Sequence, residues 1–108
     1  MGICNVFYNV NKIIVKPGLQ CSYIKFSKQL NQYLINRYCK YYLGLQLYES
    51  KENPCVFYVV ASYRDIPGVY EAAEKIGEDI SNIYDECWGN SVKRISILSF
   101  VNCKRIIS

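Results

Sequence analysis

From Val69 to Cys87, apolar residues (Val69, Ala72, Ala73, Ile76, Ile80, Ile83, Tyr84 and Cys87) recur three or four positions apart, and Glu71, Glu74, Glu78, Asp79, Asn82, Asp85 and Glu86 fall between them. That period gathers one apolar stripe on an α-helix and leaves an acidic opposite face. Asp65 is placed to cap it, Pro67 is tolerated in its first turn, and Trp88-Gly89-Asn90 stops it. A second helix is predicted over residues 28–43, with Ser27 as cap and Gly44 as a left-handed stop. Leu30, Tyr33, Leu34, Tyr38 and Tyr41 form its stripe, and Lys28, Arg37 and Lys40 make it basic.

The remaining segments read as strands. Residues 3–8, 45–48, 55–62 and 92–103 are rich in β-branched and aromatic side chains, and 55–62 is apolar enough for a central strand. Asn9-Val10-Asn11 separates residues 12–16 from the first of these, which predicts a short β insertion near the N-terminus. Residues 21–26 fit neither period. The order strand, helix, strand, strand, helix, strand is the split βαβ plan: an α+β, ferredoxin-like antiparallel sheet in spatial order 4-1-3-2. Both helices then cover one face and leave the other open.

At 108 residues, 51% hydrophobic, the chain is expected to form one domain spanning 1–108 with an adequate core. Its apolar runs fall far short of the roughly 20 residues of a membrane span, and no secretory or acylation pattern is present. No membrane association and an intracellular, cytoplasmic location are therefore expected. The abundance of Ile, Tyr, Lys and Asn suits an AT-rich genome, and a viral or plasmid source is the corresponding expectation. Charge is segregated: residues 1–48 hold six bases and no acid, 49–86 hold all nine acids, and 87–108 hold four bases and no acid.

The chain has no His, so general acid–base work would fall to other groups, and no phosphate loop or carboxylate cluster is visible. Six cysteines lie at least sixteen positions apart, a spacing unsuited to zinc. Neither a metal nor a cofactor is expected. The cysteines read as buried thiols; the alternative is a disulfide, for which Cys4 and Cys103 are the pair that the strand layout brings near.

If Val6 and Ile97 face the helices, then Phe7, Tyr58, Arg94, Leu98 and Phe100 lie on the open face. An apolar face of this kind is rarely left in water. The leading expectation is a noncatalytic interaction protein that forms a homodimer, or binds another protein, through this face or the sheet edges. The alternative is a single-stranded nucleic-acid binder. The architecture resembles the RNA-recognition domain, in which two sheet aromatics stack unpaired bases. That resemblance implies stacking by Phe7 and Tyr58, with phosphate contacts from Arg94 and the basic helix; the Gly-aromatic-Gly-aromatic core of that family is absent from residues 54–60.

Overall fold

A computed structural model of the chain describes residues 6–103, with side chains through residue 99. Its elements are β1 (Val6–Val15), α1 (Gln20–Arg37), β2 (Tyr42–Glu49), β3 (Val56–Arg64), α2 (Val69–Cys87), a 3-10 turn (Gly89–Ser91) and β4 (Val92–Cys103). The four strands form one antiparallel sheet in the order β2-β3-β1-β4. This is the expected order read from the opposite edge, and the α+β ferredoxin-like arrangement stands. No helix among the described residues is long and apolar enough to cross a membrane.

Three local expectations are corrected. β1 runs unbroken through Asn9-Val10-Asn11, so there is no β insertion: each of these residues pairs with β3, opposite Ala61, Val60 and Val59. α1 starts at Gln20 instead of residue 28 and ends at Arg37. Its entry is the Pro17-Gly18 turn, where Gly18 adopts φ +92° and donates its N–H to Gln20 Oε1 at 2.8 Å. Ser27 is thus no cap; it sits inside the helix on the buried stripe Tyr23, Ser27, Leu30, Leu34. Gly44 stops no helix either, because it lies within β2. The helix is capped at Tyr38, whose N–H bonds the Leu34 carbonyl, and the turn that follows is held by Arg64, which donates from Nη1 to the carbonyls of Cys39 (2.6 Å) and Lys40 (3.2 Å). α2 has the expected bounds, but its N-cap is Gly68 at φ +88° with no side-chain cap bond, so Asp65 does not cap it.

The core lies between the helices and one face of the sheet. Phe7, Ile13 and Val15 of β1, Phe57, Val59, Ala61 and Tyr63 of β3, and Val92 of β4 are buried there against Tyr23, Leu30, Leu34, Val69, Ala73, Ile76 and Tyr84. Side chains of this size each contribute about 1.5–3 kcal/mol when removed from water. At one end the rings of Tyr23, Phe26, Phe57, Tyr84 and Trp88 touch one another, and the Tyr23 and Tyr84 hydroxyls share a 2.6 Å hydrogen bond. At the other, Phe7 stacks between Tyr63 and Tyr70 with ring centroids 5.2 and 5.3 Å away. The helices are pinned to each other by Asp79 of α2, which accepts from the hydroxyls of Tyr33 (2.8 Å) and Tyr38 (2.7 Å).

The cysteine expectation fails for most of the described thiols. Cys21, Cys39 and Cys87 are exposed and Cys55 is half-buried, all four of them free. They sit on the solvent sides of their helices and turns. The Cys4–Cys103 pair lies outside the described side chains.

Candidate active site

Strand alternation puts Phe7, Asn9, Asn11, Ile13 and Val15 on the helix side of β1. The polar members, Asn9 and Asn11, fall where the helix layer leaves a gap. Beneath the middle of α2 and α1 this gap is a cavity of about 50 Å³, walled by Ile13, Leu30, Leu45, Val59, Ala61 and Ile80 and by the polar groups of Asn9, Asn11, Ser27, Tyr42, Tyr63, Tyr84 and Arg94. Gly77 of α2 also lines it. Space of this kind holds about three to five waters, or the head group of a larger molecule.

The polar groups divide into satisfied and unsatisfied. Tyr84 is bonded to Tyr23, and Asn9 to Tyr63. Tyr42 OH, by contrast, is buried with no hydrogen-bond partner among the described residues, while Ser27 Oγ, equally buried, lies close to the Tyr23 hydroxyl. Their residues are only 2% and 3% exposed. An unpaired buried hydroxyl costs about 1–3 kcal/mol, so Tyr42 OH on this small cavity is a sign that something else bonds to it. Burial holds the three phenols in their protonated, donating form. It pushes Tyr63 up to about 12, against lowering contributions from Arg94 and Asn9. Tyr42 and Tyr84 are pushed up further, again chiefly by burial.

Arg94 forms the mouth. It enters from β4, opposite Ile13 of β1, lays its guanidinium 5.3 Å from the centre of the Tyr84 ring, and donates to Ser81 Oγ at 3.3 Å. This side chain also lines two open grooves. One, of about 580 Å³, runs along Glu74, Gly77, Glu78, Ser81 and Asn82. The other, of about 300 Å³, runs along Asn11, Ser81, Tyr84, Asp85, Gly89, Val92 and Ser96. Arg94 is thus common to the cavity and to both grooves. No group of three or more His, Cys, Asp or Glu gathers among the described residues.

The residues expected on one open face are split between the two. Tyr58 and the half-exposed Leu98 do lie on the open side, in ladders running Tyr48, Tyr58, Lys12, Ile95 and Gln46, Val60, Val10, Leu98 across the four strands. Phe7 does not: it is fully buried under the helices. Arg94 also faces the helices. Ile97, expected inward, is 47% exposed, because β4 carries extra residues relative to β1 and its alternation shifts there. The side chain of Phe100 lies outside the described residues. Of the basic helix residues, Lys28 is exposed on α1, Arg37 approaches Asp79 at 3.9 Å, and Lys40 lies beyond the helix over the Tyr41 ring.

Asn9, Asn11, Ser27, Tyr42, Tyr63 and Tyr84 line the cavity without having been expected there from the sequence. A signal was present: polar Asn9 and Asn11 interrupt an apolar strand at alternate positions, as Arg94 and Ser96 do in the strand beside it.

No family model matches the sequence, and no curated protein does. Solved structures with the same fold do match. One from Nitrosomonas europaea aligns over 98% of this chain and 95% of its own, with a TM-score of 0.66 and 8% identity. Another, from Bacteroides thetaiotaomicron, covers 95% and 97%, with a TM-score of 0.59 and 19% identity. A third, from Bordetella bronchiseptica, covers 90% and 99%, with a TM-score of 0.57 and 16% identity. All three bear the name "Putative antibiotic biosynthesis monooxygenase". At such identities the likeness establishes a shared fold. These enzyme names, with Phe7 and Arg94 turned to the helices, overturn the expectation of a noncatalytic interaction module and its nucleic-acid-binding alternative.

Proposed function

We propose that this chain is an enzyme of the monooxygenase type, acting on a small organic molecule bound between α2 and β4 at the mouth of the Arg94 cavity. The observation that carries this reading is the buried, unpartnered Tyr42 hydroxyl on a cavity whose Arg94 also lines two surface grooves. The names of the structures sharing the fold supply the reaction class. In monooxygenation one atom of dioxygen enters the product and the other leaves as water, which takes two electrons and two protons from the substrate or a co-reactant. The chain's own part is to orient oxygen atoms: Tyr42, Tyr63 and Ser27 donate from inside, Arg94 supplies positive charge at the entrance, and the apolar wall excludes water.

The experiment is turnover under ¹⁸O₂ with a panel of small hydroxylated aromatics, followed by mass spectrometry. The expected result is one labelled oxygen per product molecule, with a rate at least 10-fold lower in Arg94→Gln. Unlabelled product, or a rate indifferent to Arg94, rejects the assignment.

As its partner we propose a second copy of the chain, seated on the open sheet face. Tyr48, Ile95 and Leu98 are 52%, 37% and 50% exposed there, in line with Tyr58, Val60 and Val10, and sheets stack face to face about 10 Å apart. Leu98→Asp is expected to halve the mass measured by sedimentation; an unchanged mass removes Leu98 from the contact.

A further inference from the structure

The cavity has a sign. Every ionisable group that lines it is either a cation or a phenol kept protonated by burial: Arg94, Tyr42, Tyr63 and Tyr84. No carboxylate lines it. Arg94 has no carboxylate within 4.0 Å among the described residues, where the Arg37–Asp79 contact is the ion pair recorded. Of its five N–H donors, the one hydrogen bond described, to Ser81, uses one. A half-buried guanidinium with donors to spare, on one cavity with a buried Tyr42 hydroxyl that has nothing to bond, is a set of donors without its acceptor.

We infer that the ligand of this site is a small organic anion, a carboxylate or phenolate, whose charged oxygen lies against Arg94 and reaches the Tyr42 and Ser27 hydroxyls while its apolar body occupies the groove. The inference rests on the reading of this cavity as the active site and names the substrate class that the cavity takes. Size agrees: about 50 Å³ accommodates an anionic head, and the adjoining grooves of about 580 and 300 Å³ take a ring. Chemistry agrees as well, since a carboxylate offers only acceptors and a guanidinium only donors. A cationic ligand would meet the charge of Arg94 at the entrance. The acids nearby, Glu74, Glu78 and Asp85, are exposed on the outer grooves, where water and salt screen them.

Equilibrium binding tests this apart from turnover. Benzoate, benzyl alcohol and benzylamine share one ring and differ in the charge of the head, and each is titrated into the protein by calorimetry at fixed ionic strength. Benzoate is expected to bind roughly 10- to 100-fold more tightly than benzyl alcohol, as a charge-assisted hydrogen bond provides, with benzylamine weakest. Arg94→Gln is expected to abolish the preference for benzoate without altering benzyl alcohol affinity. Arg94→Lys, which keeps the charge but not the planar fork, recovers part of it. A merely structural Arg94 would weaken all three ligands alike. Equal affinity for the three, preference for benzylamine, binding of none, or undiminished benzoate affinity in Arg94→Gln each overturns the inference. Benzoate binding without oxygen transfer would leave the ligand class standing and remove the monooxygenase reading.

Discussion

The two faces of the one sheet are built on opposite terms. On the helix side, large apolar side chains are fully buried yet surround a small hollow edged with Asn9, Asn11, Tyr42 and Arg94. On the open side Tyr48, Ile95 and Leu98 stand half-exposed beside Tyr58 and Val60. Some polar residues thus sit inside among an apolar core, and some apolar ones outside beside Lys12 and Gln46, a partial inversion of what a half-buried sheet obeys by default. On the function proposed above, the inversion has a use on both sides: the inner polar groups bond a ligand, and the outer apolar groups are covered by a second copy.

The comparison breaks most sharply at Phe7 and Leu98. Removing the fully buried Phe7 ring, which stacks on Tyr63 and Tyr70, is expected to cost about 3–5 kcal/mol in Phe7→Ala, read by urea denaturation. At protein concentrations where the chain is monomeric, Leu98→Ala should move the same midpoint by no more than about 0.5 kcal/mol. Equal losses would mean that Leu98 belongs to the core of a single chain and that the open face is not open.

Alkali probes the inner face next. Tyr63 has its folded pKa raised to about 12 by burial, and Tyr42 and Tyr84 are raised as well. A phenol with a raised pKa keeps its proton in the folded state after the unfolded chain has lost it. Its stabilisation is therefore complete below pH 10 and declines as pH climbs towards the folded value. Tyr63 alone accounts for about 2–3 kcal/mol between pH 10 and 12, so denaturation midpoints should fall steeply over that interval. Tyr63→Phe should flatten the decline, and an unchanged slope would show that this phenol is not shielded.

The smallest effect is the most discriminating. Tyr42→Phe removes a buried hydroxyl that has no partner in the chain, so stability should stay level or rise by up to about 1 kcal/mol, while benzoate affinity falls. A loss of stability together with full binding would turn Tyr42 into an ordinary core residue.

The same inversion explains what could be read from the sequence. α2, β3 and the strand order were legible because their period and composition agree. The parity of β1 was not. Val6-Phe7-Tyr8 is apolar throughout and gives no phase, and Asn9 and Asn11 looked like a break in the strand although they face the cavity. Arg94 was sent to solvent for the same reason. The first turns of α1 were lost because Leu19 caps without a side-chain bond and Ser27 stands on the buried stripe between Tyr23 and Leu30. In each case a residue that serves the cavity, or sits over it, spoiled the pattern that local rules rely on.

β4 faces water along one edge, and it carries surplus residues against β1: Asn11 pairs with Ser96 and Val10 with Leu98, and the spacing slips again before Tyr8 meets Val101. A strand with such irregularities is a poor template for another strand, because its free N–H and C=O groups no longer keep the even repeat a newcomer must match. The edge is thereby defended against fibre growth in a chain that is half hydrophobic. Deleting Ile97 removes the first of these two slips and is expected to make the edge more prone to aggregation.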